Sequence, residues 1–426
     1  MNRYKGLCLI LDGLGDNPHP ELQQQTPLQA ANTPHLDKLL QQGQAAMVSP
    51  LLSGVPVGTH TGTAVLFGIA PQQVSQISRG PIEAAGIGLS LTPGDVALRC
   101  NFATIKAHEN QAGFTIVNRR AGRIDAEVVE LSQVLRDIKL KHGVIANVYP
   151  ATQHRGIVHL RGKKLSADIS DTDAGTANMA QGVLLAKALH KKNKAAKRTA
   201  KALNQLIIEV HQRLAQHPLN QKRIAKGLFP ANAIITRGAG QAFAIDSVLN
   251  YLNLKTAVIS GESTVSGLAR LFNYTCIEDV RFTALSNTDL KAKVNASLQA
   301  LEHHDLVYLH VKATDIYSHD CDPVGKKDFI ERIDRELAPL WQQKNTVFAV
   351  VSDHSTNSHT GRHSGAPVPA ILTAPHHRHD SCQHYNEIEC QMAGLGHINS
   401  TAFLMNMLDT MGHLRQFTQE MNRFIF

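Results

Sequence analysis

Three aspartates and three histidines stand at, or shortly after, the ends of apolar runs in this chain. Asp12 follows GLCLIL. Asp315 and His319 follow LVYLHV and are four residues apart. That spacing sets both on one face of a helical turn, where they can share an ion. Asp353 and His354 follow TVFAVV, and His363 comes nine residues later, in GRHSGAPVPAIL. Each alone has a plain reading: Asp353 as a helix cap, His354 and His363 as turn residues, Asp12 as a satisfied loop carboxylate. Together, Asp12, Asp315, His319, Asp353, His354 and His363 supply two mixed nitrogen and oxygen sites. Two metals about 4 Å apart can clamp the attacking and leaving oxygens of a phosphoryl transfer.

Such chemistry needs a nucleophile. Val57-Gly58-Thr59-His60-Thr61-Gly62 follows a Gly/Pro-rich loop and precedes the helix-like TAVLFG. A hydroxyl at a helix start can be ionised by a metal, with backbone N–H groups nearby to hold phosphate oxygens. Thr59 is the expected nucleophile and a ligand of the metal. The plainer alternative is that Thr59 only caps the helix.

These residues require strands to present them. Gly6–Leu11, Thr256–Ser260, Leu306–Val311 and Thr346–Val351 are continuous apolar runs, as in parallel strands covered on both faces. Ligands of open parallel sheets bind beyond the carboxyl ends of the strands, where three of these runs reach metal-type residues. Helix-like stretches alternate with the runs, which favours α/β with a mostly parallel sheet. From about Gln72 to Gly240 the segments are shorter and richer in arginine, so the expected division is a core of residues 1–72 and 241–426 with an inserted domain of residues 73–240.

At 426 residues and 43% hydrophobic, the chain can build a large core. No apolar stretch reaches the ~18 residues of a membrane span. The short run before Asp12 reads as a first strand rather than a signal peptide. Six scattered cysteines without a CxxC pair read as reduced thiols of a cytoplasmic protein. The net charge is +8, with much of the excess in Lys187–Lys201. That segment reads as a solvated helix face, not a nucleic-acid patch, because no nucleic-acid motif accompanies it. A basic surface also suits anionic substrates. His376–His384 reads as a polar surface loop.

The chain resembles the archaeal-type 2,3-bisphosphoglycerate-independent phosphoglycerate mutases of the alkaline phosphatase superfamily. The resemblance runs over nearly the whole length, through LILDGLGD, TPLQAANTPHLDKL, RGPIEAAGIGLSLTPGDVALRCNFAT, NRRAGRI, ISDTD, KGLFPANAIITRGAG, HVKATDIYSHDCD and SDHSTNSHTGRHSGAPVPAIL. It implies an alkaline-phosphatase-like core with helices flanking the sheet, plus an inserted α+β cap domain that holds the substrate. It assigns Asp315, His319 and His363 to one divalent ion (Mn, Mg or Zn). Asp12, Asp353, His354 and the Thr59 oxygen go to the other. No 2,3-bisphosphoglycerate is required. The nucleophile takes the phosphoryl group of 3-phosphoglycerate, and the retained glycerate receives it back on its 2-hydroxyl. The cap excludes water. Residues matching the family's cap motifs are Arg119, Arg120, Arg123, His154, Arg155, Asp171, Asp173 and Arg237. Arginines grip phosphate and carboxylate bidentately, although any one of them can also be a structural ion pair.

Departures from the pattern cluster near the chemistry. Thr59 stands for a serine, His60 for an aspartate, Thr63 for a histidine and Ser266 for a lysine that balances charge on the phosphorylated intermediate. Asn118 stands for an aspartate and His397 for a late arginine. These changes leave two other readings: transfer or hydrolysis of another small phosphate or phosphonate, and a metal-binding protein with little catalysis.

Overall fold

The computed structural model describes residues 3–108, 113–242, 246–414 and 419–425. The chain divides into two compact units, Met1–Gln76 with Ile245–Phe426, and Ile77–Ala244. The first unit opens with β1 (Lys5–Leu11), β2 (Gln44–Ser49) and α1 (Thr59–Leu66). The second holds α2 (Arg79–Gly86), β3 (Val96–Ala107), β4 (Phe114–Asn118), β5 (Ile138–Leu140), β6 (Val144–Pro150), β7 (Arg155–Arg161), α3 (Lys194–Ala215) and β8 (Ala233–Gln241). The chain then returns to the first unit with β9 (Thr256–Ile259), α4 (Ser263–Leu271), β10 (Thr275–Ile277), α5 (Leu290–His303), β11 (Leu306–Val311) and α6 (Ala313–His319). It continues through α7 (Pro323–Leu337), β12 (Thr346–Val351), β13 (Ser355–Asn357), β14 (Arg362–Ser364), β15 (Val368–Thr373), β16 (His397–Asn399) and α8 (Ser400–Thr410).

The first unit is built on one sheet, in the order β10-β9-β11-β1-β12-β15-β2-β16. Its pairs are parallel except β12 with β15 and β15 with β2. The apolar runs of β11 and β12 are buried at every position because helices cover both faces. Burying each such Leu, Ile or Val contributes roughly 1.5–3 kcal/mol, so the centre of the sheet is the stable part of this unit. Leu9 of β1 lies opposite Leu309 of β11 on one side and Val350 of β12 on the other. This register ends all three strands at one edge, so the residues that follow them emerge together.

The second unit is an antiparallel sheet in the order β4-β3-β7-β6-β5, with β8 also paired to β3. Helix α3 covers it through Leu203, Leu206, Ile207, Val210 and Leu214, all buried. The basic segment Lys187–Lys201 is only partly helical. Asn193 starts the helix by accepting a hydrogen bond from the Ala196 N–H at 3.0 Å, and Lys187, Lys191 and Lys192 precede it. His376–His384 forms no helix or strand. No helix among the described residues is long and apolar enough to cross a membrane.

Candidate active site

Asp12 is the first residue past β1, Lys312 the first past β11, and Asp353 the second past β12. The chain leaves Asp12 through Gly13, whose φ of 65° suits glycine, and a side chain there would press against Asp315. Helix α6 carries Asp315 and His319 on one face, with His319 Nε2 3.2 Å from Asp315 Oδ2. The β13–β14 hairpin sets His363 opposite Thr356. The His363 ring stacks on His354 at 3.8 Å, and its Nε2 lies 3.3 Å from His319 Nε2.

Thr59 is the first residue of α1, and Gly58 occupies the cap position without a side-chain bond. The Thr59 hydroxyl therefore does not cap the helix. It lies 3.0 Å from Lys312 Nζ, 3.3 Å from His354 Nε2 and 3.5 Å from Asp12 Oδ1. Gly62 permits this approach: a Cβ there would lie 1.9 Å from the Asp353 carbonyl oxygen.

Asp12, Asp315 and Asp353 are all fully buried, and buried carboxylates must be compensated by cations or hydrogen bonds. Burial alone would raise the Asp12 pKa. Lys312, His310 and His354 outweigh it and hold the carboxyl well below its usual range. Asp353 is pushed up instead, by burial and by the charge of Asp12. His354 is buried too, yet Asp353 and Asp12 raise its pKa against that burial. His363 falls to about 4 because of burial and the neighbouring His354.

The residues fit a divalent-ion centre. The Nδ1 atoms of His319 and His363 lie 2.7 and 2.8 Å from the carbonyls of Gly361 and Val57. A proton held on Nδ1 leaves Nε2 as a lone pair. In that tautomer the two Nε2 atoms, 3.3 Å apart, would offer lone pairs beside Asp315, the donor set of a divalent cation. Without one, His319 Nε2–H can donate to Asp315, which raises the His319 pKa. Possible ligand atoms lie within 4.8 Å of one another in the sets Asp315, His354, His363 and Asp12, His310, Asp353. The first set takes in His354 where His319 was expected, yet His354 Nε2 also lies 3.2 Å from Asp12 Oδ1 and 3.6 Å from Asp353 Oδ2, so it borders both groups of carboxylates. Thr356 Oγ1 donates to Asp315 Oδ1 at 2.6 Å and lies 3.1 Å from His354 Nδ1, so the ligand types are also oriented from behind.

The second unit has its own pocket, of about 340 Å³, lined by Arg99, Arg119, Arg120, Arg123, Arg155, Arg237, His154 and Asp173. Strand register gathers them: on β3, Arg99 lies opposite Arg237 of β8, and Asn101 opposite Arg155 of β7. Asp173 is gripped by Arg119 at both carboxylate oxygens and by Arg237 Nε at 3.0 Å. Arg99 pairs with Glu83 of α2 at 3.5 Å. Among the described residues no carboxylate pairs with Arg120, Arg123 or Arg155, so the pocket keeps a surplus of positive charge. His154 Nδ1 and Arg155 Nε are buried without a partner. Burial and the adjacent arginines lower the His154 pKa to about 4, which keeps the imidazole neutral at pH 7. Asp171 does not join the arginines: its Oδ1 accepts the Gly238 N–H at 2.9 Å.

The departures have local explanations in part. Asn118 Oδ1 accepts the N–H groups of Arg120 and Gly122, so the amide serves the turn as a carboxylate would. Buried Thr63 reaches Asp353 Oδ2 at 3.5 Å. Ser266 is buried in α4. His397 bonds Ser49 Oγ at 2.8 Å.

Four residues of these sites were not singled out from sequence: His310, Lys312, Glu83 and Arg99. A histidine and a lysine at the end of an apolar strand read as isolated polar interruptions, and Lys312 lies only three residues before Asp315. That proximity was the available signal.

A family model described as 2,3-bisphosphoglycerate-independent phosphoglycerate mutase matches residues 41–220. A mutase of that name from Archaeoglobus fulgidus is 36% identical over 96% of this chain and 99% of its own length. One from Methanopyrus kandleri is 36% identical over 97% and 98%. Among solved structures, a Pyrococcus horikoshii protein superposes with a TM-score of 0.82 at 29% identity, covering 98% of this chain and 100% of that one. The cofactor-independent phosphoglycerate mutase of Thermoplasma acidophilum gives 0.69 at 28% identity, covering 95% and 99%. With a third of its residues shared along its full length, the chain belongs to the 2,3-bisphosphoglycerate-independent phosphoglycerate mutase family.

Proposed function

We propose that this enzyme interconverts 3-phosphoglycerate and 2-phosphoglycerate through a phosphothreonine at Thr59. The observation that carries the reading is the convergence of Thr59 with three buried carboxylates and His354 in a chain whose full-length relatives are named as mutases. Asp315, His319 and His363 would hold one divalent cation (Mn, Mg or Zn), and Asp12, Asp353, His354 and the Thr59 oxygen a second. Bound there, the ions would supply positive charge to the reacting oxygens and ease ionisation of the threonine hydroxyl.

The Thr59 oxygen attacks phosphorus as the bond from phosphorus to the 3-oxygen of the substrate breaks. That oxygen leaves with the electron pair and takes up a proton equivalent to the one Thr59 gives up. In the second half the 2-hydroxyl attacks the phosphothreonine, and Thr59 regains its proton. The sum is an isomerisation that needs no co-reactant. The arginine pocket of the inserted unit serves recognition. Arg120, Arg123 and Arg155, which have no carboxylate partner among the described residues, match the phosphate and carboxylate of a small trianion. Neutral His154, which lines the same pocket, can bond a hydroxyl or carboxylate group of the substrate. Free thiols at all six cysteines fit a cytoplasmic setting.

Phosphorus NMR of 3-phosphoglycerate with the Mn-loaded protein tests this reading. Appearance of 2-phosphoglycerate without free phosphate is expected. Free phosphate alone would establish a hydrolase, the second reading, which is favoured by Thr63 and Ser266 standing where the family resemblance implies a histidine and a lysine. No change would refute both for this substrate and turn attention to other phosphates and phosphonates.

A further inference from the structure

We infer that Lys312 is a built-in third cation of the carboxylate cluster, fixed where Asp12, Asp315 and Thr59 meet, and that it limits how tightly divalent ions bind there. This rests on the reading that the cluster holds such ions.

An ammonium has three N–H donors and no acceptor. Lys312 Nζ has three oxygen neighbours in the site: Asp12 Oδ1 at 2.9 Å, Asp315 Oδ2 at 2.6 Å and Thr59 Oγ1 at 3.0 Å. The set uses every donor. The backbone under this side chain is equally determined, because Lys312 directly follows β11, whose last residue Val311 pairs with Leu11 immediately before Asp12. The other buried lysines nearby are engaged elsewhere. Lys293 Nζ donates to the His310 carbonyl at 2.7 Å, and Lys326 Nζ to the Gly13 carbonyl and Asp16.

Two consequences follow from charge alone. Without metal, the ammonium keeps the buried carboxylates from facing one another uncompensated. With metal, an incoming divalent ion must share the oxygens of Asp12 and Asp315 with a resident positive charge at close range, which weakens its binding. Lys312 also holds one lone pair of the Thr59 oxygen, so the hydroxyl proton must point away from the ammonium. Lys312 is thus a positioning residue for the nucleophile as well as a counter-ion.

The test uses full-length wild type and Lys312→Met, which keeps the length and removes the charge. Each protein is stripped with EDTA, followed by thermal unfolding, and titrated with Mn²⁺ by calorimetry. The expected result is an unfolding midpoint of the stripped variant lower by about 5 °C or more, with Mn²⁺ bound at least about tenfold more tightly than by wild type. If the stripped variant does not stay folded, the Mn-loaded forms are titrated with chelator, and the variant should need about tenfold more for release. The affinity decides. Equal or weaker Mn²⁺ binding by Lys312→Met overturns the assignment, including the case where stripped and loaded forms lose stability alike, as for a merely structural lysine. A wild type that takes up no Mn²⁺ removes the metal-site reading and this inference with it. Wild-type uptake without a gain in the variant removes the Lys312 assignment alone.

Discussion

The two units of this protein concentrate opposite charges by opposite structural means. In the first, three carboxylates and their histidines follow the ends of parallel strands or stand on the helix and hairpin just beyond them, and the carboxylates are fully buried. In the second, arginines project largely from within antiparallel strands and the loops between them into a pocket of about 340 Å³. Short side chains suffice where strands end together, because the backbone itself brings the atoms close. Long side chains suit a pocket that must grip a molecule from several directions. The first arrangement calls for cations, and the second for an anion.

Experiments that separate the two regions sharpen this contrast. The largest effect belongs to Thr59→Ala, which should lower turnover by about 10⁴-fold or more and abolish acid-stable phosphoprotein in mass spectra of quenched reactions. Near-normal turnover would move the nucleophile elsewhere. Asp353→Asn should come next. Loss of one buried carboxylate charge should weaken Mn²⁺ binding by about 10–100-fold in calorimetry, and leave capture of substrate analogues by the inserted unit unaltered. Arg155→Ala should do the reverse, raising KM by roughly 10–100-fold through loss of a charge-assisted contact, with metal affinity unchanged. If either variant moves both quantities equally, charge is not partitioned between the units as described.

The smallest effect concerns pH. The His154 pKa is lowered to about 4 in the fold from an ordinary 6.5. Between those values the unfolded chain binds a proton that the folded chain does not, so stability falls as pH drops through this window. Denaturant titrations at successive pH values should show that slope, and His154→Asn should flatten it. An unchanged slope would place the acid sensitivity at another group.

Legibility from sequence divided along the same line. The parallel core could be read because β1, β11 and β12 are continuous apolar runs, and a carboxylate just past such a run must turn into the sheet edge. The place of Thr59 at the start of a helix was legible from the glycines around it. Lys312 and Arg99 were not, for different reasons. Lys312 matters only because the register of two strands distant in sequence sets it beside Asp12. Arg99 matters only because β3 pairs with β8 across more than a hundred residues, and alternation within one strand carries no information about its partner. The start of α3 shows a third limit. The run of lysines suggested a helix face, yet Asn193 decides where the helix begins, and lysine composition says nothing about that.

The ends of the inserted unit meet. Gly240 near its exit packs so closely on Ser78 at its entry that a Cβ would lie 2.4 Å from the serine Cβ, and Val96 pairs with Gln241. A segment whose ends already touch removes little conformational freedom from the chain that flanks it, whatever its own length, because the gap to be closed is that of a short loop. The inserted unit of such a molecule can therefore lengthen, shrink or change its strands with little penalty to the folding of the first unit. Within one lineage, the two units are free to drift at different speeds.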